Sequence, residues 1–162
     1  EGCRFLDQLY KIRIPHRADI VIVSAGGYPK DINLYQAQKA LDNAKHAVKE
    51  GGCIVWAASA KEGLGADVFE KWMTGHAKAH DMIEHISREF QLGGHKAAAI
   101  AMVLEKADIY LYSDMDADFV RSIHLKPCQD LQAELDSALS RYGKDASVIV
   151  MPYGGSTLPC TE

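Results

Sequence analysis

Three polar residues at helical spacing, Tyr35, Gln36 and Lys39, could bind a small anion. Positions three and four apart are neighbours on a helix surface, so a helix here would place a phenol, an amide and an ammonium on one patch. Near the positive amino end of a helix, a lysine with hydrogen-bond donors beside it suits a carboxylate or another small anion. The alternative is an ordinary solvated helix face, and the residue types alone favour that alternative.

A buried strand and a shaped loop lead into this patch. Residues 19–24 are a β-branched run without polar alternation, which is typical of a strand covered on both faces within a parallel sheet. The Gly-Gly-Tyr-Pro sequence at 26–29 predicts a turn of defined direction. A helix is expected to begin near Asn33, which forms an approximate capping box with Gln36. Its apolar stripe comprises Leu34, Ala37, Leu41, Ala44 and Val48.

The rest of the sequence alternates between strand and helix patterns. Gly51 and Gly52 are expected to cap the first helix. Residues 1–17 are interpreted as a short helix or an irregular lead-in, and residues 152–162 as a Gly- and Pro-containing tail. Further strands are predicted at 53–59, 108–113 and 146–151, and helices from about 67 and at 77–90, 95–106, 116–123 and 130–142. This order predicts one α/β domain over residues 1–162, a three-layer sandwich of a mostly parallel β-sheet with helices on both faces. Ligands of such sheets bind at the carboxyl ends of the strands, where Gln36 and Lys39 fall.

Composition excludes several classes of function. The 162 residues carry a net charge of -4 with acidic and basic residues intermixed, so no basic surface for nucleic acid or a membrane is expected. No apolar run approaches the roughly 18 residues of a membrane span, and the first residues do not resemble a signal peptide. The four cysteines are scattered, which favours a reducing compartment. A cytoplasmic protein is the expectation.

Other motifs predict neither a metal site nor a catalytic residue in this chain. His76 and His80 have a spacing that can hold one metal, but the glutamate of H-E-x-x-H and a third ligand are missing, so a solvated helix face is favoured. Residues 114–118 begin like a calcium loop, yet Phe119 replaces its glycine and Leu125 its bidentate glutamate.

Two further patterns are equally incomplete. The glycine-containing segment 61–66 lacks the rest of a dinucleotide or P-loop motif and predicts a plain strand-to-helix turn. Ser24 and Ser59 end predicted strands, but neither lies in a G-x-S-x-G elbow and no catalytic triad can be assigned. No cofactor-binding residue is assigned either.

The segment 19–39, with its Gly-Gly-Tyr-Pro and Tyr-Gln-x-x-Lys elements, resembles the C-terminal domain of the nickel-dependent lactate racemase family. The resemblance is specific in the first 40 residues and looser beyond them. It implies an isomerase, a 2-hydroxyacid racemase or epimerase, in which a nickel pincer nucleotide accepts and returns the substrate's hydride. In that family the cofactor-bearing lysine and the nickel-binding and acid/base histidines belong to an N-terminal domain that this chain does not contain. The resemblance thus implies two partners, that domain and a small 2-hydroxyacid.

The resemblance also implies roles for individual residues. Tyr35, Gln36 and Lys39 match the family's substrate-side motif, with Gln36 and Lys39 placed to hold the substrate carboxylate. Lactate racemase has an aromatic residue in a later alanine-rich region, where this chain offers His95 and Lys96. Lactate and larger or more acidic hydroxyacids therefore stay open as substrates. The alternative function is a non-catalytic domain of the same fold that binds a small anion or assembles with a partner chain.

Overall fold

A central parallel sheet organises the chain. The structure, a computed structural model, describes residues 2–161 apart from the side chains at positions 3 and 4. The elements run in the order α1 (Gly2–Tyr10), β1 (Lys11–Arg13), β2 (Ala18–Ser24), α2 (Leu34–Ala44), β3 (Val48–Ala57), α3 (Asp67–Gly75), α4 (Ala79–Arg88), α5 (Gly94–Leu104), β4 (Asp108–Tyr112), α6 (Ala117–Ser122), β5 (Lys126–Cys128), α7 (Leu131–Tyr142), β6 (Val148–Met151), a 3₁₀ helix (Gly154–Ser156) and β7 (Leu158–Cys160).

Strand β2 lies inside this sheet, as its unbroken apolar sequence predicts. The strand order is β5-β4-β3-β2-β6 and every pair is parallel. Ile22 of β2 lies beside Val55 of β3 on one side and Val150 of β6 on the other. Because β2 is hydrogen-bonded along both edges, its position fixes where the loop that follows it leaves the sheet.

Helices cover both faces of the sheet, which confirms the predicted α/β class. Alternate strand residues point to opposite faces. Val21 and Val23 of β2 belong to a large core with helices α2, α3, α4 and α5, whereas Ile20 and Ile22 face a smaller core with α7. Trp56, in the middle of the larger core, is fully buried. The chain therefore encloses apolar cores of its own on either side of the sheet.

The end of α2 differs from the prediction. The helix ends at Ala44, and Val48, expected on its apolar stripe, already belongs to β3. Gly51 and Gly52, expected as a helix cap, lie within β3, where the pairing with β2 shifts register between Ala18 and Ile20. A Cβ at Gly52 would lie 2.6 Å from the Asp19 carbonyl oxygen, so Gly52 permits close approach of two strands.

Helix α1 agrees with the short helix that is one of the two alternatives for residues 1–17. Three short strands, in contrast, are not predicted. Strands β1 and β7 pair in parallel as a separate two-stranded sheet, and β5 adds a three-residue edge strand beside β4. Three residues are too few to establish a strand period. The helix predicted at 77–90 begins only at Ala79. Within the described part of the chain, no helix has both the length and the apolarity to cross a membrane.

The carboxylate of Asp19 ties the edge strand β6 to the sheet. Its Oδ2 accepts hydrogen bonds from the backbone N–H and the Oγ of Ser147, at 2.8 and 2.6 Å, and its Oδ1 accepts one from Lys49 Nζ at 2.8 Å. These contacts, that of Lys49 first, hold the pKa of Asp19 well below its ordinary value. One side chain thus joins β2, β3 and the residue that precedes β6.

Replacing Asp19 with Ala is expected to lower the free energy of unfolding by about 2 kcal/mol at neutral pH, because it removes charge-assisted hydrogen bonds. Urea denaturation measures the change. The depressed pKa stabilises the folded state fully above about pH 4, where an unfolded aspartate is ionised, and this stabilisation is lost as the pH falls further. The difference between wild type and variant should therefore shrink in acid. The exposed Asp145→Ala is the control, and equal effects of both substitutions would contradict the assignment.

Candidate functional site

The loop after β2 is held in place by the loop after β3. The backbone N–H of Ser59 donates to Asp31 Oδ2 at 3.2 Å, and that of Ala60 donates to the Asp31 carbonyl at 2.8 Å. Asn33 then caps α2, as predicted, by accepting a hydrogen bond from the Gln36 backbone N–H at 3.0 Å. The start of α2 is thereby fixed at the carboxyl edge of the sheet.

The first backbone N–H groups of α2 already have partners. Leu34 N–H donates to the Gly63 carbonyl at 3.0 Å, and Tyr35 N–H donates to the Leu64 carbonyl at 3.1 Å. The glycine-containing segment 61–66 is therefore a plain turn that presents carbonyls, as its incomplete motif predicts. An anion at this edge must be held by side chains, because these helix N–H groups are not available to it.

Gln36 and Lys39 lie together, as the helical spacing predicts. Lys39 Nζ donates to Gln36 Oε1 at 2.7 Å. This bond differs from the predicted capping box, in which the Gln36 side chain would reach back to the backbone of Asn33. Both side chains line a cavity of about 320 Å³ together with Tyr10, Ala25, Lys30, Ala37, Ala40, Gly155 and Ser156.

The cavity lies where the order of strands reverses. From β2 the chain moves through β3, β4 and β5 in one direction, and it then returns to place β6 on the other side of β2. Ala25 and Lys30 follow β2, whereas Gly155 and Ser156 follow β6. Open α/β sheets bind ligands at such a reversal, outside the carboxyl ends of the strands.

Tyr35 lies on a different part of α2 from Gln36 and Lys39. Its ring meets Phe69 edge to face, with centroids 5.7 Å apart. Lys96 Nζ lies 4.1 Å from the centre of the same ring and donates to the Tyr35 carbonyl at 2.7 Å. The predicted shared patch therefore holds for the amide and the ammonium, while the Tyr35 ring packs against α3 and α5. This placement corrects the predicted environment of Tyr35.

The cationic character of this edge extends to Lys96. Burial lowers the pKa of Lys96, and the nearby charge of Lys39 lowers it further against a smaller opposing effect of Asp42. Lys96 bridges α5 and the first turn of α2 through the Tyr35 carbonyl. It is thus a further ammonium whose charge interacts with that of Lys39, although it belongs to the neighbouring helix.

His76 and His80 do not contact each other, although their spacing in the sequence could place both beside one metal ion. His76 follows the end of α3 and lies 3.1 Å from His85, measured between His76 Nε2 and His85 Nδ1, whereas His80 on α4 contacts Glu105. His95 Nδ1 accepts a hydrogen bond from the Gly93 backbone. Among residues 2–161, no three His, Cys, Asp or Glu side chains are grouped so that they could hold a metal ion.

Comparison with known proteins identifies the family. The sequence profile of the lactate racemase C-terminal domain matches residues 14–158. The chain belongs to this family. Lactate racemase of Thermoanaerobacterium thermosaccharolyticum is 30% identical over 163 residues, which cover 98% of this chain and 38% of that protein. Lactate racemase of Lactiplantibacillus plantarum is 30% identical over 161 residues, covering 94% and 37%.

Two solved structures share the fold of this chain. The lactate racemase apoprotein from Thermoanaerobacterium thermosaccharolyticum superimposes with a TM-score of 0.88 at 29% identity, over 98% of this chain and 39% of that one. A Thermotoga maritima protein shares the fold, with a TM-score of 0.65 at 17% identity, over 99% of this chain and 41% of that one. The chain therefore spans a little over a third of the length of the curated lactate racemases it matches.

The structure adds cavity residues that the sequence interpretation missed. Tyr10 precedes β1, Lys30 lies in the loop after β2, and Ser156 lies close to the C-terminus. Lys30 could have been suspected, since it immediately follows the Gly-Gly-Tyr-Pro turn. Tyr10 and Ser156 carried no signal, because only the tertiary fold brings both ends of the chain to α2.

Gly154 lets the C-terminal segment pack tightly against α2 beside the cavity. A Cβ at this position would lie 2.9 Å from Ala40 Cβ, and the Gly154 carbonyl accepts a hydrogen bond from Asn43 Nδ2 at 2.7 Å. Gly154→Ala is therefore expected to cost about 2 kcal/mol of stability through overpacking. Thermal and urea denaturation measure this cost.

The adjacent Gly155 supplies a matched control. A Cβ there would have no heavy atom within 4 Å, and Gly155→Ala should change stability by less than about 0.5 kcal/mol. A similar loss of stability in both variants would show that close packing at Gly154 is not what holds this wall of the cavity.

Proposed function

We propose that this chain is the substrate-side C-terminal domain of a lactate-racemase-like racemase or epimerase that acts on a 2-hydroxyacid. The observation that carries the proposal is the Lys39–Gln36 pair at the reversal of strand order, in a chain of the lactate racemase family. A 2-hydroxyacid presents a carboxylate to such a pair. The proposal thus assigns this chain the part of the reaction that binds and orients the substrate.

The chemistry of the two side chains fits a carboxylate. An ammonium has three N–H donors, and Lys39 uses one of them on Gln36 Oε1. The same contact turns the Gln36 amide so that its Nε2 remains a donor. Lys39 and Gln36 can therefore donate to the two oxygens of one carboxylate, which would fix the orientation of the adjacent C2 carbon.

The proposed reaction needs a hydride carrier that this chain does not provide by itself. We assign the nickel pincer nucleotide to the N-terminal part of a two-domain protein, where it would accept and return the hydride of the substrate. The described residues of this chain offer no metal-binding cluster, so we assign no nickel ligand here. The role of this chain is to hold the carboxylate at the cavity, and the rest of the protein would close over it.

Tyr35 enters the proposal as a residue next to the site. Its ring is held by Phe69 and Lys96, and its carbonyl accepts the Lys96 ammonium. A direct contact of its phenol with substrate would complete the motif Tyr35, Gln36 and Lys39. The alternative is that Tyr35 positions the first turn of α2, on which Gln36 lies.

Racemisation by the full-length protein, loaded with nickel cofactor, tests the role of Lys39. Lys39→Ala is expected to lower kcat/KM for the 2-hydroxyacid by about 100-fold, because a charged hydrogen bond to the substrate is lost. Lys61→Ala, which removes a lysine from the loop after β3, controls for the general change in charge at this edge. Activity of Lys39→Ala equal to that of the control would remove Lys39 from the site.

Tyr35→Phe separates the two roles of Tyr35. If the Tyr35 phenol contacts substrate, removal of its hydroxyl should lower kcat/KM by about tenfold or more, since the partner group on the substrate is then left without a hydrogen bond. A ring that only packs should keep nearly full activity. The same assay of the loaded full-length protein measures both, with Lys39→Ala as the reference for loss of a substrate contact.

The competing function is a binding or assembly domain without catalysis. The pair Lys39 and Gln36 could hold a small anion without any hydride carrier. Calorimetric titration of this chain alone with lactate and with inorganic phosphate distinguishes the two functions. Submillimolar affinity of the isolated chain would favour the binding domain, whereas a half-site should bind only weakly until the rest of the protein completes it.

A further inference from the structure

We infer that Lys30 forms a second anion subsite in the cavity, which selects 2-hydroxyacids carrying a second carboxylate. The inference rests on the proposed function, because it takes Gln36 and Lys39 as the site of the first carboxylate. Lys30 comes from the loop after β2, whereas Gln36 and Lys39 come from α2. A ligand held by both sets would therefore bridge two elements of the cavity wall.

The charges around the cavity exceed what one carboxylate needs. Lys30 and Lys39 both line it, and among the described residues that do so none carries a carboxylate. Neither lysine makes an ion pair with a described acidic residue. Both lysines are exposed, and among the described residues that line the cavity no acidic side chain competes with a ligand for them. A monocarboxylate would neutralise only one of them.

The local backbone places Lys30 beside the cavity. Lys30 N–H donates to the Gly27 carbonyl at 2.8 Å and closes the turn through Tyr28 and Pro29. Gly26 has a φ of +95°, and a Cβ there would lie 3.4 Å from Lys30 Cδ, so a glycine leaves room for the lysine stem. The ring of Tyr153 lies below the ammonium, 6.0 Å from Nζ to centroid. At that distance a cation–π contact is weak, and the ammonium keeps its donors for a ligand.

The arrangement distinguishes substrates by charge. The first carboxylate would accept hydrogen bonds from Lys39 and Gln36, and a carboxylate at the other end of the same molecule would accept one from Lys30. A monocarboxylic acid leaves Lys30 solvated and gains nothing from it. Selectivity of this kind is a difference between two affinities, and it should depend on Lys30 for one class of ligand alone.

Titration of the full-length protein without cofactor, with malate and with lactate in parallel, tests the inference. Wild type is expected to bind malate more tightly than lactate. Lys30→Met should weaken malate binding by about tenfold and change lactate binding by less than about twofold, since only the longer diacid reaches Lys30. Lys30→Arg retains the charge and should preserve most of the preference for malate.

Two controls separate a failure of the inference from a failure of the proposed function. Lys61→Met removes the same charge elsewhere on this edge and should leave the preference for malate unchanged. Lys39→Met should weaken the binding of both malate and lactate. If Lys39→Met does so but Lys30→Met leaves the preference for malate intact, the second subsite is wrong and the proposed function stands. If Lys39→Met leaves the affinity for both ligands unchanged, or if neither ligand binds wild type, both the second subsite and the proposed function are wrong.

Discussion

The burial of strand β2 is the constraint on which the rest of the structure depends. Its unbroken apolar sequence has to be covered on both faces, and β3 and β6 satisfy the hydrogen bonds of its two edges. Once β2 is central, β6 must return to its far side, and the order of strands reverses there. The loop after β2 then opens directly into the resulting cavity. The location of the candidate site therefore follows from the way one apolar segment is buried.

Charged side chains differ in their surroundings between the amino ends and the carboxyl ends of the strands. Near the amino end of β2, Asp19 is neutralised by Lys49 and by hydrogen bonds from Ser147, so its charge stabilises the fold. At the carboxyl ends of the strands, Lys30 and Lys39 form no ion pair with an acidic side chain of the described residues. An unpaired cation adds little to stability, but it can bind an anionic ligand without first breaking an internal ion pair. The contrast supports a binding role for the carboxyl edge.

In the first turn of α2 the backbone N–H groups are already hydrogen-bonded, so only side chains remain to bind a ligand. Carbonyls of the loop after β3 accept the N–H groups of Leu34 and Tyr35, and Asn33 caps the N–H of Gln36. The helix start is rigidly held as a result. In the proposed site an anion would be held by the side chains of Lys39 and Gln36 on this helix and by Lys30 from the preceding loop.

The sequence by itself determined the α/β class, the central strand, the start of α2 at Asn33 and the adjacency of Gln36 and Lys39. Each of these depends on local periodicity or on capping, which neighbouring residues encode. Only the tertiary structure decided that Val48 belongs to β3, that the Tyr35 ring packs against Phe69, and that both ends of the chain reach the cavity. These features depend on contacts between residues far apart in sequence, and local patterns carry no information about which distant segments will meet.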